Sequence, residues 1–332
     1  MSARATAPAT GKGSLLYGSV GRTDLVDPAR TEELTRAQFH SARRLSELTV
    51  ATDSVYPTHG FGSFCSSGAA TGGATSTMGE ERRRNDALTE NDEDAFVARL
   101  VAGLTAYPRY YAHLGARNRQ GPGPADLSPP EHVDAAELRK RIDAGEWVVD
   151  LRDRIAYAAE HLGGSVGIAL GEQFSTYLGW LIPWGTPLTL VGETSQQVAD
   201  AQRQLVRIGI DRPDGAALGT PAELAGSGEL RRYPVASFED LLTARTDGSG
   251  VVVLDVRHDD ERAAGAIPGS AHVPLHSLLE RFDEVPGATL WVHCASGYRA
   301  SIAASLLDRA GHDVVLIDDE YDKAVEIGLA PA

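Results

Sequence analysis

The chain has 332 residues and a formal net charge of -15 at pH 7, enough length for two or three domains that each bury a core. That charge excludes a general binder of nucleic acid or of an anionic membrane, since both require clustered positive charge. Two cysteines, Cys65 and Cys294, exclude a disulfide framework and a cysteine-rich zinc site. No run approaches the roughly twenty apolar residues that span a bilayer, and no signal-peptide pattern opens the chain, so the expected setting is the reducing cytoplasm. Two composition shifts read as linkers: Gly121-Pro122-Gly123-Pro124 through Pro129-Pro130, and the Gly/Ala-rich stretch from Gly215 to Gly228. They delimit segments 1–122, 128–214 and 233–330.

In the first segment, Gly18-Ser19-Val20-Gly21-Arg22-Thr23-Asp24-Leu25 precedes a helical stretch through Leu48, then Val55-Tyr56-Pro57-Thr58-His59-Gly60-Phe61-Gly62. One Asp and one His carry little metal signal by themselves. Together with Tyr107-Pro108-Arg109-Tyr110-Tyr111 and Asn118-Arg119-Gln120-Gly121-Pro122, they resemble the second half of a metallo-β-lactamase αββα domain, of the branch that includes glyoxalase II and persulfide dioxygenases. The resemblance implies Asp24 as a metal-ligating aspartate and His59 as a late metal-ligating histidine. The family's histidine-rich first ligands lie upstream of its Gly-Arg-Thr-Asp segment, and no histidine precedes Asp24 here. A mononuclear iron triad needs two histidines and a carboxylate. Dioxygenase or thiolester hydrolase activity is therefore expected to be lost, with iron or zinc expected only in a complete domain. Half of a face-to-face sandwich leaves sheet surface and strand edges uncovered. Such a segment is expected to be loosely ordered, to form a homodimer, or to follow upstream sequence. Ser66 to Arg84, rich in Gly, Ser and Thr and then in charge, reads as a mobile loop.

The middle and third segments share a plan. Val133-Asp134-Ala135-Ala136-Glu137-Leu138 answers Val235-Ala236-Ser237-Phe238-Glu239-Asp240 as an opening helix. Trp147-Val148-Val149-Asp150-Leu151-Arg152 answers Val253-Leu254-Asp255-Val256-Arg257, and His161-Leu162-Gly163-Gly164-Ser165 answers Ala266-Ile267-Pro268-Gly269-Ser270. The strand Pro187-Leu188-Thr189-Leu190-Val191 then ends in Gly192-Glu193-Thr194-Ser195, which places Glu193 opposite the third segment's cysteine. Trp180 and Trp184 supply an apolar contact surface or fill a core. Strands alternating with helices predict an α/β fold with parallel sheets.

In the third segment the strand Thr289-Leu290-Trp291-Val292-His293 runs into Cys294-Ala295-Ser296-Gly297-Tyr298-Arg299 and a helical pattern from Ala300 to Ala310. A thiol at a strand-to-helix turn meets backbone N–H groups without helical partners, the positive end of the helix dipole and a nearby arginine, all of which favour thiolate. The same N–H groups form an anion cradle. Asp255 and Arg257 read as a strand-end ion pair. Leu254-Asp255-Val256-Arg257, Glu261, Gly265-Ala266-Ile267-Pro268-Gly269-Ser270 and the Cys294 loop, in this order, closely resemble the rhodanese sulfurtransferase family. Ala266 departs from it, where the family usually has histidine.

The resemblance implies that Cys294 takes a sulfane sulfur from thiosulfate or glutathione persulfide and passes it to cyanide or a thiol, with no cofactor. Cys294 is then the nucleophile, Ala295, Ser296, Gly297 and Tyr298 form the substrate cradle, and Arg299 contacts the donor anion. The Cys-to-Arg separation is five. Cysteine phosphatases and arsenate reductases use one position more, which suits a tetrahedral oxyanion, so phosphatase chemistry is the lesser reading. The middle segment is expected to be an inactive rhodanese-like domain, since a carboxylate cannot carry a persulfide. The alternatives are a metal-dependent persulfide dioxygenase or hydrolase completed by another chain, and a non-catalytic sulfur-relay or sensing module.

Overall fold

The computed structural model describes residues 15–25, 27–57, 75–121, 123–247 and 250–331. The chain divides into two units, Met1–Tyr107 with Tyr111–Gly121, and Pro108–Tyr110 with Pro122–Ala332.

The first unit opens with an antiparallel pair, β1 (Leu15–Leu16) and β2 (Ser19–Val20), followed by α1 (Thr31–Glu47). A second antiparallel pair, β3 (Ser54–Val55) and β4 (Ser76–Thr77), leads into α2 (Met78–Arg84), α3 (Asp86–Thr89), α4 (Glu93–Ala102) and α5 (Tyr111–Gln120). Val20, Phe39, Ala42, Ala87, Phe96, Val97 and Leu100 form its core. The loop expected over Ser66 to Arg84 is corrected for its last part. Residues 66–74 lie outside the described residues, whereas 76–84 form a strand and a capped helix. Thr77 and Glu80 make a reciprocal capping box, which satisfies the first orphan N–H groups of α2. Buried Glu81 accepts from the Gly18 N–H at 2.8 Å, the Ser76 hydroxyl at 2.5 Å and the Asn85 amide at 2.9 Å. The charges in this stretch therefore anchor the helix instead of solvating a loop.

The second unit contains two parallel sheets. Its first half runs through α6 (Ala135–Asp143), β5 (Trp147–Asp150), α7 (Arg154–Ala159), β6 (His161–Leu162), β7 (Val166–Gly167), α8 (Phe174–Leu181), β8 (Leu188–Gly192), α9 (Ser195–Leu205), β9 (Gly215–Leu218), α10 (Pro221–Leu224) and β10 (Leu230–Arg231). The sheet order is β7-β5-β8-β9, all parallel. Val148, Val149 and Leu190 have no exposed surface, as expected of strands covered on both faces.

The stretch 215–228 is thus not a linker, and the middle domain does not end at 214. Gly215–Leu218 pairs with Thr189–Gly192, and Ala216 is bracketed by Val133 N–H and Glu131 C=O. Glycine and alanine are poor strand formers, which is why the sequence reads as a linker. Gly215 is nevertheless needed, because a Cβ there would overlap Val133 Cγ2 and crowd the Arg141 guanidinium.

The second half has β11 (Val235–Ala236), α11 (Phe238–Thr246), β12 (Val252–Asp255), α12 (Asp259–Ala264), β13 (Ala271–His272), β14 (Leu290–His293), α13 (Tyr298–Arg309), β15 (Val314–Ile317) and α14 (Tyr321–Glu326). Its parallel sheet has the order β11-β15-β14-β12-β13. Ser237 caps α11 in a capping box with Asp240. Helix α13 is buried from Arg299 to Asp308, a helix enclosed on all sides. Its alanines and serines suit that position, since small side chains allow close approach, and the Ser301 and Ser305 hydroxyls are satisfied by the Tyr298 and Ile302 carbonyls. Among the described residues no helix is long and apolar enough to cross a membrane.

Candidate active site

The two halves of the second unit repeat one ion-pair geometry. Arg152 donates from Nε and Nη2 to Asp150 at 3.0 and 2.7 Å and from Nη2 to the Glu160 carbonyl. Arg257 donates likewise to Asp255 at 3.0 and 2.8 Å and to the Gly265 carbonyl. Asp255 and Arg257 are a structural pair, as their pattern suggested. Asp150 lies opposite Val191 and Asp255 opposite His293, so the residues that follow, Gly192 and Cys294, are equivalent. The expectation that Glu193 takes the nucleophile's place is corrected by one position. Residue patterns along one strand do not reveal where it pairs, whereas the hydrogen-bond register fixes the position relative to the ion pair.

The two turns spend their donors differently. After Gly192, Glu193 and Thr194 N–H groups both donate to the Gln197 side chain, and Gln197 N–H donates to the Thr194 hydroxyl. A capping box has used these groups up. After Cys294 the turn is one residue longer, and its N-cap is Gly297 in the left-handed region, with φ of 81° and no side-chain cap. No acceptor for the N–H groups of Ala295 to Arg299 is found among the described residues, and Ala300 N–H donates to Cys294 Sγ at 3.3 Å. Cys294 is 1 % exposed. The sulfur therefore sits at a turn rich in unbonded N–H donors, the kind of turn that binds an anion.

The loop is held from below. Tyr321 N–H donates to the Ala295 carbonyl at 2.8 Å, and the Tyr321 ring carries the Arg257 guanidinium at 3.6 Å. A Cβ on Gly297 would overlap Asp318 Oδ1, so no other residue fits there without movement. His293, fully buried, stacks on Tyr321 with ring centroids 5.7 Å apart, and burial lowers its pKa to about 4.

Arg299, expected to contact the donor anion, gives Glu261 two hydrogen bonds of 2.5 and 2.7 Å. Burial opposes its charge, but Glu261 and Cys294 outweigh burial and raise its pKa. For Glu261, burial pushes up while Arg299 and the His258 N–H pull down, and the carboxyl ends below its usual range. Arg299 thus brings charge to the sulfur with its forked donors already engaged. Tyr298, whose N–H belongs to this turn, donates its side-chain hydroxyl to the Ala169 carbonyl at 2.7 Å. Ser296 is exposed at the loop tip, Ala295 half-buried and Gly297 buried.

Several site residues escaped the sequence reading. The Tyr177 ring of α8 packs tilted against Tyr298 with centroids 5.5 Å apart, within electrostatic range of Cys294 and Arg299. Trp180 packs 5.2 Å from His276 and 6.0 Å from His258, and the two histidine rings stack at 5.2 Å. Burial and the Arg299 charge lower the His258 pKa, and burial with His258 lowers that of His276 to about 4. Trp180 is hence a contact between the two halves, and Trp184 lies against Gly209. One rule could have found His258 and Asp318: both follow the carboxyl ends of parallel strands, where open α/β sheets place their sites. Tyr177 and Arg154 had no such signal.

Asp24 belongs to the first unit, where Arg22 takes both its oxygens at 3.0 and 2.7 Å. His59 lies outside the described residues. Among the described residues no group of three or more His, Cys, Asp or Glu could hold a metal ion. Among the described residues the donor set does not fit the metal centre of a metallo-β-lactamase domain.

Residues 238–326 match the family model of the Rhodanese-like domain. A sulfurtransferase of Allochromatium vinosum is 32% identical over 79 residues, covering 24% of this chain and 74% of that protein. The chain belongs to the rhodanese family. The HTH-type transcriptional regulator Rv0324 of Mycobacterium tuberculosis is 30% identical over 105 residues, 31% of this rhodanese chain and 41% of the regulator. A metallo-beta-lactamase from Staphylococcus aureus, a solved structure, is similar with 25% identity and a TM-score of 0.51, covering 61% of this chain and 55% of that one. The chain thus spans about half the length or less of these two proteins. The α/β architecture with parallel sheets, and its kinship to both metallo-β-lactamase and rhodanese folds, agree with the sequence reading.

Proposed function

We propose that this rhodanese chain is a sulfurtransferase that carries sulfane sulfur as a persulfide on Cys294. The observation that carries the reading is the run of N–H groups from Ala295 to Arg299 without an acceptor among the described residues, in the turn that holds a buried Sγ. Cys294 thiolate attacks the outer sulfur of thiosulfate, the S–S bond breaks, sulfite leaves with its electron pair, and the enzyme holds Cys–S–S⁻. The N–H groups and the Arg299 charge stabilise that anion. Cyanide or a thiolate then attacks the terminal sulfur, and the Cys294 thiolate leaves. Glutathione persulfide serves as donor by the same exchange, with glutathione thiolate as leaving group. No cofactor enters either step, and a reducing cytoplasm suits the thiol. The kinship with a protein named sulfurtransferase supports the reading.

The test is thiocyanate formation from thiosulfate and cyanide. Cys294→Ser is expected to abolish it, and equal rates in the parent and the variant would reject the proposal.

A further inference from the structure

This inference rests on the sulfurtransferase reading of Cys294. The cradle is built for an anion, yet a negative charge lies against it. Asp318, the residue after β15, packs so closely on Gly297 that a Cβ there would overlap its Oδ1. Its carboxylate therefore borders the loop a donor must enter. The partner that neutralises it comes from the other half of the unit: Arg154, the first residue of α7, donates from Nε to Asp318 Oδ1 at 2.6 Å. Their side chains are 31% and 16% exposed, so the pair is in reach of solvent and of an incoming ion. Tyr298, within the loop, also lies in range of the Arg154 charge.

We propose that Arg154 of the thiol-less half is a donor-specificity residue, which cancels the Asp318 charge beside the Cys294 cradle and so admits a dianionic sulfane donor. An unpaired carboxylate a few ångströms from the cradle repels a donor in proportion to the donor's charge, and in a partly exposed site the repulsion is screened by salt. The effect falls on donor binding, because Arg154 touches neither the sulfur nor the N–H groups. The thiol-less half is then part of the donor site through one arginine, beyond its packing role.

The experiment measures thiosulfate:cyanide turnover at low ionic strength, beside turnover with an alkanethiosulfonate. That monoanion leaves the same Cys294 persulfide and releases a sulfinate. Arg154→Ala is expected to raise the thiosulfate KM roughly tenfold, with a smaller rise for the thiosulfonate, little change in kcat, and a shrinking effect at high salt. Arg154→Lys is expected to stay near the parent. Arg154→Ala combined with Asp318→Asn is expected to return the thiosulfate KM to within about twofold of the parent, because the two residues are coupled. Asp318→Asn alone keeps an acceptor for Arg154 and is expected to lower that KM, a result independent of whether Arg154→Ala folds. An unchanged thiosulfate KM in Arg154→Ala or in Asp318→Asn, or an equal rise for both donors in Arg154→Ala that adding Asp318→Asn does not reverse, overturns the inference alone. A parent that transfers no sulfur, or does so equally well as Cys294→Ser, overturns the sulfurtransferase reading and this inference with it.

Discussion

At Gly297 a single missing Cβ decides whether the Cys294 loop can close. The residue holds φ of 81°, where an L side chain costs roughly 1–2 kcal/mol, and any side chain would also meet Asp318. Gly297→Ala is expected to lower stability by about 2 kcal/mol or more and to slow thiocyanate formation, as checked by urea midpoint and steady-state rate. A variant with parental stability would show that the loop relaxes freely. The cysteine, its loop and the glycine were legible in the sequence, because the chemistry and the turn are local. The engagement of Arg299 by Glu261 was not, since Glu261 lies 38 positions away and only α12 brings it there.

At the scale of elements, two strand-to-helix turns of common design differ in how they use N–H groups. β8 enters α9 through a capping box centred on Thr194 and Gln197. β14 enters α13 through a longer turn capped only by Gly297. A thiol alone therefore does not make a sulfur site. Gly192→Cys in a Cys294→Ser background is expected to form no thiocyanate, because the donors that would cradle its persulfide are already bonded. Measurable turnover by that double variant, above the rate of Cys294→Ser alone, would contradict this. Helix α13 is fixed at both ends by the thiol-less half. Tyr298 bonds the Ala169 carbonyl at its start, and at its end Asp308 meets His161 at 3.1 Å and Arg231 at 3.2 Å. His161 stands where the cysteine-bearing half has Ala266, and it stacks on Tyr157 with centroids 4.1 Å apart. The family histidine absent from one half thus serves in the other as a tie between them.

At the scale of the molecule, buried ionisable groups set a pH window. His293 titrates near pH 4 in the folded state because of burial, against about 6.5 in an unfolded chain. Below pH 6.5 the unfolded state binds a proton that the folded state refuses. Stability is therefore complete above that pH and falls as pH drops toward 4, by up to roughly 3 kcal/mol from this one group. For Asp255, burial pushes the carboxyl up, but hydrogen bonds from Arg257 and the nearby His293 hold it below its usual range. Glu261 is held low as well, so both withdraw further stability as pH falls through their folded values. Urea midpoints at pH 7.5, 6.0 and 5.0 are expected to decline steadily, with a shallower decline in His293→Asn. A flat profile would contradict the assignment.

By itself the sequence determined the α/β rhythm of the second unit, the duplication and the cysteine loop, because periodicity, caps and turn residues act within a few positions. Only the tertiary structure decided that Gly215–Leu218 is a strand, where close packing overrides the weak strand preference of glycine and alanine. It also decided that Gly192, one residue before Glu193, answers Cys294, because parallel pairing across a sheet sets register through hydrogen bonds that no local pattern reveals. The charge around the cradle belongs to the same class: Arg154 and Asp318 are 164 positions apart, and only the packing of two sheets makes them neighbours.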